Sequence, residues 1–108
     1  MKNLLRTLSL LATVLVVVPA FLTAAGNAEK GKEVFQQCGV CHHTDSVDKK
    51  LGPGLKGLFK KAKLANGKPA TDANVMAVIN DGGNGMPAYK DILTSEEKDH
   101  LMAYLKTL

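Results

Sequence analysis

One short segment carries the residue types with the most distinctive chemistry in this chain. It reads Cys38-Gly39-Val40-Cys41-His42, the C-x-x-C-H pattern for covalent haem attachment. Two thiols near one helical turn can each bond a vinyl group of a porphyrin, and the histidine that follows then lies under the iron. With two cysteines and three histidines in 108 residues, about 0.001 such patterns are expected by chance. The segment therefore predicts one covalently bound haem.

Three other interpretations of the cysteine pair compete with haem attachment. A thioredoxin-like redox pair also uses C-x-x-C, but it belongs with a βαβ pattern, which this sequence lacks. A structural zinc site would have to use adjacent histidines instead of the usual H-x(3–5)-H spacing. Its candidate ligands are Cys38, Cys41, His42, His43 and His100. A plain disulfide would leave His42 without a role.

A second axial ligand is sought among the methionines, since thioether sulfur is a known haem ligand. Met86 follows a glycine-rich loop, where the backbone can approach a flat cofactor, and Pro87 restricts it. Met76 and Met102 lie within predicted helices, where methionine usually fills gaps in a core. His43 is the remaining alternative ligand, although we expect it to point to solvent, and His100 is expected at the surface. Met86 is the predicted sixth ligand.

The elements that must position these residues are predicted to be helices. Asn27 caps a first helix that begins at Ala28 and runs into Cys38, and Thr71 or Asp72 caps a later one. The last helix starts with a capping box, in which Thr94 bonds forward and Glu97 reaches back. Core positions recur at helical spacing in three groups: Leu55, Leu58 and Phe59; Val75, Val78 and Ile79; and Leu101, Tyr104, Leu105 and Leu108. Because no segment alternates as a strand would, the domain is predicted to be all-α.

The first 28 residues differ from the rest and match a secretory leader. Lys2 and Arg6 precede an apolar run over residues 8–22, and small residues follow it. We expect cleavage after Ala25 or Ala28. The alternative is an uncleaved anchor, because the 22 uncharged residues from Thr7 onward can just span a bilayer core of roughly 30 Å. Either way, residues 29–108 form the exported domain.

The composition of residues 29–108 limits what this domain can do. It contains 12 lysines, no arginine, 10 acidic residues and no tryptophan, for a formal charge of +2. That balance argues against nucleic-acid binding, which favours arginine and aromatic side chains. A core of 80 residues seldom supplies more than about 3 to 5 kcal/mol unaided. The domain therefore needs a cofactor or metal to stabilise it, and a haem meets that need.

The exported domain resembles the small class I c-type cytochromes of bacterial and photosynthetic electron transport. The resemblance covers nearly all of residues 29–108. It rests on Gly31 and Phe35, residues 38–42, Leu51-Gly52-Pro53-Gly54-Leu55 with Gly57-Leu58-Phe59, Gly85-Met86-Pro87-Ala88-Tyr89, and Leu101 with Tyr104. The family fold has three to five helices around one covalently bound haem, with its first and last helices packed across each other. One departure is Gly54, where many relatives carry a side chain.

The resemblance also implies roles for individual residues. His42 and Met86 would be the axial ligands of the haem iron, Cys38 and Cys41 would form the thioether bonds, and the Pro53 carbonyl would bond to His42. Gly31, Phe35 and Tyr104 would pack at the helix crossing. The implied cofactor is one haem c with its iron.

A histidine and a methionine that fill both axial positions favour electron transfer over catalysis. We therefore expect a one-electron carrier, not an enzyme, that shuttles between Fe(II) and Fe(III). The alternative is a haem protein whose methionine leaves easily, acting as a peroxidase-like enzyme or a gas sensor. Partners would be redox proteins, docked weakly. The expected compartment is the periplasm or a thylakoid-lumen-like space. A basic stretch with no acidic residue is a candidate docking surface: Lys49, Lys50, Lys56, Lys60, Lys61, Lys63 and Lys68.

Overall fold

The computed structural model describes residues 14–17 and 26–108, and the predicted leader falls largely outside them. The described part has three α-helices: α1 (Ala28–Phe35), α2 (Asp72–Asp81) and α3 (Ser95–Leu105). A single 3₁₀ turn, Leu58–Lys60, lies between α1 and α2. Within these residues β-pairing is limited to two isolated bridges, Lys63 with Pro69 and Gly83 with Met86. The prediction of an all-α domain is confirmed.

The first two helices begin at side-chain caps that the sequence predicted. The Asn27 side chain accepts a hydrogen bond from the backbone N–H of Lys30, at 3.1 Å. At the start of α2, Thr71 Oγ1 accepts from Asn74 N at 3.2 Å, so Thr71 and not Asp72 is the cap. Each bond satisfies one of the backbone donors that a helix leaves unpaired at its N-terminus.

The capping box of α3 is present in full. Thr94 Oγ1 accepts from Glu97 N at 3.1 Å, and Glu97 Oε1 accepts from Thr94 N at 3.0 Å. We expect Thr94→Ala to lower the free energy of unfolding by about 1 kcal/mol, the usual cost of a lost cap. Ser95→Ala is the matched control, because Ser95 is exposed and follows the cap. Denaturant titration followed by circular dichroism measures both, and equal effects would contradict the role of the box.

Helices α1 and α3 cross at a point where the two backbones nearly touch. A Cβ atom added at Gly31 would overlap the backbone carbonyl of His100 and lie 2.7 Å from Tyr104 Cβ. Beside this contact, the rings of Phe35 and Tyr104 pack with centroids 5.3 Å apart and planes tilted by 58°. The absence of a side chain at Gly31 thus sets the closest approach, and the tilted aromatic pair fills the space beside it. The predicted packing of the first and last helices is confirmed.

The buried core is small and is formed mainly by the three α-helices. Its members are Phe35, Val75, Ile79, Leu93, Leu101, Met102 and Leu105. Burying one such side chain stabilises a fold by about 1.5 to 3 kcal/mol, and seven are few for a domain of this length. The half-buried Leu55, Leu58, Phe59 and Met86 pack against this cluster.

Helix α1 ends three residues earlier than the sequence predicted. It stops at Phe35, whose carbonyl oxygen accepts from both Cys38 N (2.7 Å) and Gly39 N (2.9 Å). The chain then continues through a series of turns instead of a regular helix. The prediction that α1 runs into Cys38 was wrong. The spacing of apolar residues does not show that the Phe35 carbonyl accepts from two backbone N–H groups and so ends the helix.

Candidate haem-binding site

The C-x-x-C-H segment folds as one tight turn after α1. The Cys38 carbonyl oxygen accepts from Cys41 N and from His42 N, each at 3.0 Å. Both cysteines are free and half-buried. Lys50 Nζ donates to the Gly39 carbonyl at 3.0 Å, and this contact from a distant loop was not predicted. The turn is therefore held by its own backbone hydrogen bonds and by the Lys50 side chain.

The surroundings of Cys38 and Tyr89 disfavour ionisation of both side chains. Burial is the main cause that raises the pKa of the Cys38 thiol above its ordinary value, and the neighbouring Cys41 adds to it. Desolvation also raises the pKa of the Tyr89 phenol, and charge on Cys38 and Cys41 contributes further. Cys38, Met86 and Tyr89 all pack against the core cluster, so the turn of residues 38–42 and the loop of Met86 both border the core.

The ring of His42 is oriented by the backbone of a second loop. Its Nδ1 lies 2.8 Å from the carbonyl oxygen of Pro53. A carbonyl oxygen only accepts, so Nδ1 carries the proton and donates, which leaves Nε2 with a free lone pair. Metal-binding histidines commonly donate their other ring N–H to a carbonyl in this way, which fixes the tautomer and the ring orientation.

Two glycines let this second loop approach so closely. A Cβ atom at Gly52 would lie only 2.5 Å from Cε1 of His42, so the loop backbone packs flat against the ring. Gly52 N also donates to the Cys41 carbonyl at 2.7 Å. Gly54 is buried, and a Cβ atom there would overlap the carbonyl oxygen of Ser46. The departure noted at Gly54 thus has a structural cause, which is the backbone of Ser46 packed against it.

Met86 closes a tight turn between α2 and α3. Gly83 N donates to the Met86 carbonyl at 2.9 Å, and Met86 N donates to the Gly83 carbonyl at 3.0 Å. Within the turn, Asn84 and Gly85 adopt φ angles of 53° and 89°, which favours glycine or asparagine at these positions. The Met86 side chain is half-buried and packs against the core. The turn therefore presents Met86 at the edge of the core.

The other candidate ligands have different surroundings. Met102 is only 8% exposed and belongs to the core, and Met76 packs against that core. His43 is half-buried. His100 was expected at the surface, and that prediction was wrong: its side chain is 15% exposed, and its Nδ1 accepts from Asn27 N at 2.8 Å. His100 is thus engaged at the junction of α1 and α3.

The donor set fits a covalently bound haem. Two free thiols, an imidazole with one committed nitrogen, and a glycine cradle against that ring supply what such a group requires. Asn80 Oδ1 is buried without a hydrogen-bond partner among the described residues, which is an unmet polar contact near the end of α2. Within residues 14–17 and 26–108, no three His, Cys, Asp or Glu side chains are grouped to hold a metal ion, so the zinc interpretation gains no support.

Comparison with known proteins gives a consistent set of relatives. Residues 26–105 match the family model described as cytochrome C oxidase, cbb3-type, subunit III. Cytochrome c6 of Rippkaea orientalis is 36% identical over 104 residues, which cover 93% of this chain and 90% of that protein. A cytochrome c6-like protein of Nostoc sp. is 34% identical over 88 residues, covering 78% and 76%. The crystal structure of cytochrome c6 from the diatom Phaeodactylum tricornutum matches with a TM-score of 0.57 at 25% identity, covering 76% of this chain and 93% of that one.

Proposed function

This chain belongs to the cytochrome c family as a small class I c-type cytochrome, and we propose on that premise that His42 and Met86 are the axial ligands of its haem iron. The protein is an electron carrier with a covalently bound haem c. The observation that carries the ligand proposal is the 2.8 Å contact between His42 Nδ1 and the Pro53 carbonyl. It leaves Nε2 as the only ring nitrogen that can bind a metal.

Different residues of the chain would attach the haem and bind its iron. Haem c, when bound, supplies the one-electron couple of iron. Cys38 and Cys41 are the proposed thioether residues, and Pro53 keeps His42 in one tautomer and one orientation. Met86 would supply the second ligand through its thioether sulfur, and a methionine ligand raises the reduction potential. If His42 and Met86 both bind the iron, no site on it would remain for a substrate, which supports a carrier and not an enzyme.

Redox proteins are the partners of such a carrier, and we propose the basic stretch as the docking surface. All seven of its lysines are exposed. Within residues 26–108 the salt bridges join only Lys106 to Asp72 and His100 to Glu96. None of the seven lysines of the stretch is therefore neutralised by an acidic side chain of these residues. An acidic surface on the donor or acceptor would complement it. Charges of this kind mainly accelerate encounter, which suits a carrier that must dissociate again.

The proposed location follows from the leader. Residues 1–28 have the order of a secretory signal, which would place the domain in the periplasm or a lumenal compartment. Among the described residues, no helix is both long enough and apolar enough to cross a bilayer.

The test of this function is ligation in the intact holoprotein. The oxidised protein should show the weak far-red absorption band of methionine sulfur on ferric haem, and the reduced protein should bind CO slowly or barely. Both results follow if the sixth position is closed by Met86. Rapid CO binding at neutral pH, together with a missing far-red band, would refute the ligand proposal and favour peroxidase-like chemistry or gas binding.

A further inference from the structure

The residues just before α1 are docked on α3. A Cβ atom at Gly26 would overlap the backbone carbonyl of Asp99 and lie 2.9 Å from His100 N. The chain can follow this path only because Gly26 has no side chain. Gly26 therefore fits a surface formed by residues more than seventy positions later in the sequence.

Asn27 adds three hydrogen bonds, one from each of its polar groups that face the domain. Its side chain accepts from Lys30 N at 3.1 Å, and its backbone carbonyl accepts from Gly31 N at 2.9 Å. Its backbone N–H donates to His100 Nδ1 at 2.8 Å, across a separation of 73 residues. Asn27 thus caps α1 and joins it to α3 at the same time.

These contacts distinguish the two cleavage points that small residues allow. Hydrolysis after Ala28 would remove Gly26 and Asn27, and with them the cap and the bond to His100. It would also leave a positively charged amine on Glu29, at the positive end of the α1 dipole, where a cation is unfavourable. Gly26 and Asn27 fit against α3, which is expected of residues that stay in the mature domain and not of residues that are removed. Hydrolysis after Ala25 keeps every one of these contacts.

We propose that the leader is cleaved between Ala25 and Gly26, so that the mature chain begins at Gly26. One water molecule is consumed: its hydroxyl joins the Ala25 carbonyl carbon, the peptide bond breaks, and Gly26 keeps the amine as an ammonium group. Thr23 and Ala25 supply the small residues that a leader peptidase requires before the cut. The proposal rests on the leader of the proposed function, and it does not depend on the haem assignment.

Intact mass spectrometry of the exported protein tests it. The full chain is expressed in a bacterial host that exports proteins and attaches haem, and the periplasmic fraction is analysed. The expected mass is that of residues 26–108 plus one haem. A chain beginning at Ala25, Glu29 or Met1 would overturn the proposal. A chain that begins at Gly26 but lacks haem would support the cleavage site while refuting the haem assignment, so the two failures are distinguishable.

Two matched variants locate the cut independently of folding, because the leader is processed before the domain folds. Glutamine is too large for the position just before the cut, and it is a good helix former. Ala25→Gln should make the precursor accumulate. Ala28→Gln should still yield a chain that begins at Gly26. The reverse result, normal processing in Ala25→Gln and accumulation in Ala28→Gln, would place the cut after Ala28 and contradict the proposal.

Discussion

Replacing Met86 with alanine should open the haem iron while leaving the haem attached. Cys38 and Cys41 lie on a separate turn, so covalent attachment does not need Met86. We expect the far-red band to disappear and CO to bind rapidly to the reduced variant. The potential should fall by about 0.1 V or more, within the roughly 0.8 V range that axial ligands control. Absorption spectroscopy, CO-binding kinetics and a redox titration measure these three changes.

Met76 provides the matched control for this experiment. It is also a half-buried methionine in contact with the core, but it lies within α2. Met76→Ala should lose some stability, since a buried group is removed, and keep both the far-red band and slow CO binding. An unchanged spectrum in Met86→Ala would instead transfer the sixth ligand to Met76, Met102 or His43.

Gly31→Ala should destabilise the domain strongly. The added Cβ would overlap the His100 carbonyl, which belongs to the backbone of α3 and cannot rotate away. Overpacking costs about 1 to 3 kcal/mol and sometimes more. We expect a loss of about 3 kcal/mol, a large share of the 5 to 15 kcal/mol that stabilises a typical protein. Denaturant unfolding of the holoprotein, followed by circular dichroism, measures it.

Gly39→Ala is the control for the helix crossing. Its nearest neighbour for an added Cβ is the Gln36 carbonyl at 3.6 Å, an ordinary van der Waals contact. This variant should unfold at nearly the same denaturant concentration as the unmodified protein. If Gly31→Ala and Gly39→Ala behaved alike, the close approach of α1 and α3 would not limit stability.

Local features of this fold were predictable from the sequence, because their causes lie within a few residues. Asn27, Thr71 and Thr94 cap their own helices, and each partner is three positions further along. The C-x-x-C-H turn is equally local. The assignment of Met86 also needed only its neighbours, since glycines and a proline around one methionine set it apart from Met76 and Met102. The ligand roles themselves remain predictions until ligation is measured.

Features that depend on distant contacts were not predictable in the same way. The role of His100 is set by Asn27, which lies 73 positions earlier. The need for glycine at position 54 comes from the backbone of Ser46, and the Lys50 contact with Gly39 joins two separate loops. Neither hydrophobic periodicity nor secondary-structure propensity predicts contacts between separate segments. These contacts form only in the folded chain.

The crossing of α1 and α3 also fixes an order of events during synthesis and export. The segment with Cys38 and Cys41 is made before α3 (Ser95–Leu105), the helix that packs on α1. A helix of eight residues is not stable alone, since isolated helices shorter than about 12 to 15 residues are marginal in water. Until α3 is translocated, both thiols therefore lie on a segment that is not yet folded. That interval leaves them accessible to the enzymes that attach haem, and closure of the helix crossing ends it.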